Sequence, residues 1–191
     1  LITFFDLTTL QREANSTWSW TSRRTLSVAQ ELYDTHKLTT YPRTDSRHLP
    51  EDMIESIGKT IKQLGAQDFL SAHSERLTKN GLKNVSRNFN NAKVSDHYAI
   101  IPTGKLPQGN LSNDAKRLYE LICRQFLASF HSEAIWDVQT RTTTKSEHDF
   151  IKEVRILKTP GWREVKPKSN SIPEKWNNLP SNPAETNMTS H

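Results

Sequence analysis

Apolar residues recur at helical spacing over four stretches of this chain, and in alternation over a fifth. The strongest helical pattern covers residues 111–130, where Leu118, Tyr119, Ile122, Phe126, Leu127 and Phe130 make one broad apolar face. Ser112 stands where an N-cap is needed. Residues 21–37 repeat the pattern. Leu26, Ala29 and Tyr33 fall at helical intervals, Val28 and Leu32 widen the stripe, and His36 and Lys37 suit the negative end of a helix. Over residues 49–65, Pro50 fits a first helical turn and Glu51 and Asp52 favour its positive end. Met53, Ile54, Ile57, Ile61 and Leu64 then share one face, and Gly65 stops the run. Residues 7–15 place threonine ahead of good helix formers and end on Asn15, which predicts a short helix.

Between these patterns the chain changes character. Pro42 breaks the second helix, because the residue before a proline is driven out of the helical region. Residues 82–96 are polar and Asn-rich, with Lys83, Arg87 and Lys93, and predict an exposed loop or ragged helix. The run "HYAIIPTG" is short, apolar and closed by Pro and Gly, as a buried strand or extended segment would be. Residues 134–162 are rich in Thr, Val and Ile in alternation and predict two or three strands. From Lys166 onward Pro, Asn and Ser dominate, which predicts a flexible tail or a cut-off element. The fold class is therefore mainly α (α+β): a helical body, a β appendage and a tail.

The length, 191 residues, suits one domain with appendages, and 34% hydrophobic residues is low for a chain packed throughout. A net charge of +5 permits a polyanionic partner without establishing one. The single cysteine, Cys123, excludes an internal disulfide and points to an intracellular setting. No apolar run is long enough to span a bilayer, and no signal-like segment opens the chain. The opening "LITFFDL", apolar and without Met, reads as the start of an excised piece.

Candidate chemistry concentrates in "KLTTYPRTDSR", residues 37–47. In an extended segment Tyr41 and Arg43 point the same way, and Pro42 stiffens the link between them. A phenol ionises near pH 10, so it attacks poorly unless positive charge or a base assists it. Arg43 would supply that charge and grip a phosphate with its planar fork. On these residues alone, a surface Tyr-Pro turn with a solvated arginine remains the favoured reading. His97, at the mouth of the "HYAIIPTG" run, could bond a phosphate or shuttle a proton, against a plain structural role. Cys123 sits on the apolar side of its helix and reads as core. Trp18 and Trp20 could stack bases but read as helix packing. There is no HExxH, CxxC or carboxylate cluster, so no metal ligands are expected within this chain.

Three segments in order, "DLTTLQREAN", "TLSVAQELYDTHKLTTYPRTDSRHLPED" and "SDHYAIIPTG", resemble the tyrosine-bearing part of type IA DNA topoisomerases. "YPRTDSR" and "AIIPTG" are similar to the topoisomerase III branch. The resemblance covers the first three-quarters of the chain, and "PGWREV" is similar to a family strand that returns to the neighbouring domain. It implies that Tyr41 is the nucleophile that links to the 5′ end of a cut single strand, and that Arg43 positions the scissile phosphate. His97 matches the histidine of the family's "HHAIIPT" segment, with Tyr98 where many relatives carry a second histidine. Asp45 and Ser46 are expected to shape the loop.

The resemblance further implies a winged-helix-like tyrosine domain over 1–135, a β segment of an adjoining arch over 136–166, and a tail or truncated element over 167–191. The reaction would be ATP-independent cleavage of single-stranded DNA, strand passage and religation by a monomeric, cytoplasmic or nucleoid-associated enzyme. Mg2+ would serve the full-length enzyme, with ligands outside this chain in a missing acidic Toprim domain. The isolated chain is then expected not to relax DNA, and relaxed topoisomers produced by it alone would sink that expectation. Two other classes stay open: a non-catalytic single-stranded DNA-binding module, and a helical interaction domain without nucleic acid.

Overall fold

Asp6 begins the first helix by satisfying backbone donors that a helix start leaves free. Its Oδ1 accepts from the Thr9 amide at 2.6 Å, while Thr9 Oγ1 accepts from the Asp6 amide at 3.1 Å. In this computed structural model, which describes residues 2–145 and 148–166, the helix is α1, Leu7–Trp18. It runs one turn past Asn15 and ends on Ser19 in the left-handed region, whose amide donates to the Asn15 carbonyl at 2.8 Å. Thr21 caps α2, Ser22–Asp34, accepting from the Arg24 amide at 3.2 Å. The buried stripe of α2 is Thr25, Val28, Ala29 and Leu32; Leu26 and Tyr33 sit half-buried at its edge.

A 3-10 turn, Glu51–Met53, leads into α3, Ile54–Leu64, with Pro50 capping the turn rather than entering it. Ile57, Thr60, Ile61 and Leu64 are buried on α3, whereas Ile54 faces solvent. Next comes α4, Asp68–Asn80, which buries Leu70, Ser74 and Leu77 and packs on α3. Ser74 Oγ donates to the Ile61 carbonyl at 2.6 Å, tying the two helices together. The polar stretch after it holds one short helix, α5, Val85–Asn88, and a 3-10 turn, Asn91–Lys93. Asn88 and Phe89 are nevertheless buried, and Asn88 Nδ2 donates to the Ser129 carbonyl at 2.9 Å.

Helix α6, Asn113–Ala128, is capped by Ser112 and is the centre of the core. Leu118, Tyr119, Ile122, Phe126 and Leu127 on it are buried, as is Phe130 just past its end, and α2 and α4 pack against it. Phe4, from the chain's start, stacks on Phe126 with ring centroids 5.9 Å apart, and Phe126 meets Phe130 edge-on at 5.3 Å. Each large apolar side chain buried here contributes roughly 1.5–3 kcal/mol.

The β region is one antiparallel hairpin, β1, Ile135–Lys145, and β2, His148–Thr159. Its side chains are mostly exposed, with only Val154 of β2 buried. "PGWREV" is not a strand, contrary to the expectation from family similarity. Gly161–Glu164 forms a 3-10 turn instead, entered at Gly161 with a φ of 50° and tied to the body where the Trp162 amide donates to the Ser132 carbonyl at 2.9 Å. That turn drops Val165 into the core of the body. The predicted tail, 167–191, lies outside the described residues. Among the described residues no helix is long and apolar enough to cross a membrane.

Candidate active site

The segment after α2 is extended, and burial alternates along it. Pro42, Thr44 and Ser46 are buried, while Arg43, Asp45 and Arg47 are exposed and Tyr41 is half-buried. Since side chains two apart share a face of extended backbone, Tyr41 and Arg43 lie on the outward face. The inward residues explain why. Thr44 Oγ1 donates to the His97 carbonyl at 3.0 Å, and Ser46 Oγ donates to the Lys93 carbonyl at 2.8 Å. The Thr44 carbonyl accepts from the Leu7 amide at 3.0 Å. Every second residue is thus anchored, and its neighbours must face out.

The partner of this segment is residues 97–103. Thr40 spans the seam with three bonds: its amide donates to Ile101 O at 2.9 Å, and its hydroxyl donates to Ala99 O and accepts from the Ile101 amide, both at 2.9 Å. Ala99, Ile100 and Ile101 are buried, and isolated bridges pair Thr39 with Pro102 and Phe5 with Ile100. The middle of the "HYAIIPTG" run, Ala99 to Pro102, is therefore buried without joining a sheet.

This pairing sets His97 against Tyr41, with ring centroids 4.4 Å apart and planes at 49°. Tyr33, at the edge of α2, also meets Tyr41 edge-on, with ring centroids 5.4 Å apart. His97 itself is exposed, so the ring pair opens to solvent. Arg43 lies by α2, where Gln30, with its amide oxygen turned to the guanidinium, accepts from Nη2 at 3.3 Å and Nε at 3.2 Å. Of the chain's four tyrosines, Tyr119 is unsuited to attack. It is buried, its hydroxyl donates to Lys105 O at 3.2 Å, and burial holds its proton well above the usual range.

The remaining charges of the motif are structural. Arg47 Nε donates to Asp6 Oδ2 at 2.6 Å, joining the segment to the cap of α1. Burial by itself pushes the Asp6 carboxyl up, but hydrogen bonds from Thr9 and the Arg47 guanidinium together hold it below the usual value. Asp45 Oδ1 accepts from Ser95 Oγ at 3.4 Å. His48 is kept neutral further down in pH than a free histidine, by burial and by the nearby charges of Lys93 and Arg47.

The other candidates are occupied elsewhere. Trp18 and Trp20 pack on each other with ring centroids 4.8 Å apart and planes tilted by 44°, with Trp20 buried and Arg24 over its ring at 4.7 Å. Cys123 is fully buried, and burial pushes its thiol far up. Among the described residues no group of three or more His, Cys, Asp or Glu is placed to hold a metal ion. Sequence reasoning does not single out Thr40, Tyr33 or Gln30 as part of the site. Tyr33 is hidden in the apolar stripe of α2, and only the period-two polarity of residues 40, 44 and 46 hints at the anchoring hydroxyls.

Comparison with known proteins yields a consistent picture. A family described as DNA topoisomerase matches residues 2–190. DNA topoisomerase 3 of Bacillus licheniformis is 36% identical over 162 residues, which are 84% of this chain and 22% of that protein. DNA topoisomerase 3 of Shouchella clausii is 37% identical over 161 residues, 83% of this chain and again 22% of the relative. The chain thus spans about a fifth of the length of the curated relatives it matches. The full-length topoisomerase I structure from Thermotoga maritima shares the fold, with a TM-score of 0.66 at 23% identity over 96% of this chain and 29% of that one.

Proposed function

The chain belongs to the DNA topoisomerase family, and on that premise we propose that it is the tyrosine-bearing part of a type IA, topoisomerase III-like enzyme that cuts a DNA single strand. The observation that carries this reading is the outward pairing of Tyr41 with His97 at 4.4 Å, two residues from the exposed Arg43. A tyrosine placed for structure alone would be anchored like Thr44 and Ser46, not presented.

In this reading the Tyr41 hydroxyl oxygen attacks the scissile phosphorus. A tyrosine–phosphate ester forms to the 5′ end, the bond from phosphorus to the 3′ oxygen breaks, and that oxygen leaves protonated as a 3′ hydroxyl. The reverse attack reseals the strand. Because one phosphodiester replaces another, no nucleotide hydrolysis is needed. Arg43 faces the charge that builds on the phosphate oxygens, and a preformed donor of that kind lowers the barrier most where charge develops. His97 is within reach to donate to a phosphate oxygen or pass a proton.

The helical part, 1–135, is read as a winged-helix-like tyrosine domain, and 136–166 as part of an adjoining arch. A Toprim domain of the same polypeptide would complete the site and bind Mg2+. The described residues do not form such a metal site. The whole enzyme is read as a monomer acting on single-stranded DNA in the cytoplasm or on the nucleoid, while the isolated chain does not relax DNA.

The test is covalent trapping in the full-length parent. Labelled single-stranded DNA is incubated with magnesium and the enzyme, then denatured, with Tyr41→Phe alongside. An adduct from the parent that disappears in the variant supports the reading. An adduct that persists moves the nucleophile elsewhere, and none from either protein favours a non-catalytic single-strand-binding module.

A further inference from the structure

A cleft of about 840 Å3 opens at the end of α2, lined there by Thr35, His36 and Lys37. Three lysines on three different elements line it: Lys37 just after α2, Lys62 in the last turn of α3, and Lys105 on the loop beyond Pro102. All three are exposed, and among the described residues none of their ammonium groups is in an ion pair. The carboxylate close at hand, Glu31, faces His36 at 3.3 Å. Scattered surface lysines are ordinarily just solvated. These line one concavity of ligand-binding size, and no acid is among its lining residues.

The walls of the cleft are fixed. Thr103 donates through its amide to Leu38 O at 3.0 Å and through its hydroxyl to Lys37 O at 2.8 Å. The Lys105 carbonyl is held by the Tyr119 hydroxyl at 3.2 Å. Between them Gly104 takes a φ of 87° and lies so close to α3 that a Cβ would collide with the Gln63 side chain. Lys37 is itself held at a φ of 56°, a left-handed conformation that costs an ordinary residue on the order of 1 kcal/mol. Its Nζ sits 5.4 Å from the Tyr33 ring, whose edge meets Tyr41. Through Lys37 and Tyr33 the rim of the cleft is thus linked by side-chain contacts to Tyr41.

We propose that this cleft carries the sugar-phosphate backbone of the single strand on one side of the scissile phosphate, with Lys37, Lys62 and Lys105 each neutralising a phosphodiester. The proposal rests on the DNA-cutting reading of Tyr41. Lysine suits the task, because a mobile point charge holds a phosphate without reading a base. Three cations spread around an open cleft match a polyanion strand better than one small ion, which would need them to converge.

The test uses the full chain carrying Tyr41→Phe, which leaves the strand uncut, and labelled oligothymidylate followed by fluorescence anisotropy across a salt series. With Lys62→Gln and Lys105→Gln together, affinity at low salt falls at least about tenfold. The slope of log affinity on log salt shrinks by about 1.4, or about 0.7 for each phosphate of the single strand that is no longer neutralised. A double variant with unchanged slope and affinity overturns the proposal. So does an equal loss from Lys116→Gln on α6, outside the cleft, since that would reflect net charge alone. Inorganic phosphate that competes as well as the oligonucleotide, at equal phosphate concentration, would make the cleft a discrete anion site and also overturn it. Absence of binding before the lysines are changed does the same, while trapping at Tyr41 in the parent judges the cutting chemistry separately.

Discussion

Tyr41 owes its position to residues that do no chemistry. The hydroxyls of Thr40, Thr44 and Ser46 bind carbonyls of the facing 93–99 stretch, and this leaves the phenol nowhere to point but outward. Contacts with both Tyr33 and His97 restrict the ring, so on the proposed reading little side-chain freedom would be lost on binding a phosphate. Arg43 is the partner whose removal should affect the chemical step more than binding. Arg43→Ala is expected to slow adduct formation about 10²–10³-fold, the usual loss for one preorganised donor to developing charge. Oligonucleotide affinity should change much less. Single-turnover cleavage against anisotropy measures the two separately. A variant that binds weakly but cuts at the normal rate when saturated would make Arg43 a binding residue only.

At the level of elements, the site depends on the seam between residues 40–46 and 97–103. Thr40→Val removes a donor and an acceptor at once and leaves Ala99 O and the Ile101 amide, both in buried residues, without their partner. That should cost about 1–3 kcal/mol of stability by urea unfolding. A change below about 0.5 kcal/mol would mean that the seam is held by packing instead. Much of this level is legible in the sequence. Ser112 and the apolar face of α6 locate that helix, and the broken pattern at Pro42 locates the extended segment. Helix α4 leaves no clear pattern, because Leu70 and Leu77 are its only large buried residues and its other inward contact is a serine. The sequence pattern ends α1 too early, since Ser19 in the left-handed region, not Asn15, terminates it. The "PGWREV" turn looks like a strand because its true shape depends on Gly161 fitting under the Ser132 and Glu133 carbonyls, a tertiary contact with no periodic trace. The geometry of the site is legible only in part: the alternation puts Tyr41 and Arg43 on one face, but nothing local shows that residues 97–103 pair with it.

For the molecule as a whole, the helical body carries the core, while the hairpin presents Ile135, Val138, Phe150 and Ile151 to solvent. Close to where the two join lies His131, buried, with no hydrogen-bond partner on Nε2 and its ring 6.0 Å from that of His73. Burial first, then the charges of His73 and Arg76 against the opposing Glu164, push His131 down to about 4. A histidine whose folded value lies below its unfolded 6.5 takes up a proton on unfolding, so its contribution is intact above pH 6.5 and is lost as pH falls towards 4. Urea melts should show stability falling by on the order of 2 kcal/mol over that window, and by less in His131→Gln; equal losses in the two proteins would contradict this. Cutting at Tyr41 can be checked by position, because the chain's four tyrosines fall on four different tryptic peptides. The most direct measurement is therefore to trap the adduct from the full-length parent, trim the DNA, digest with trypsin and locate the nucleotide mass. The mass is expected on the peptide spanning residues 38–43. Finding it on the peptide that holds Tyr33, Tyr98 or Tyr119, or outside this chain altogether, would contradict it.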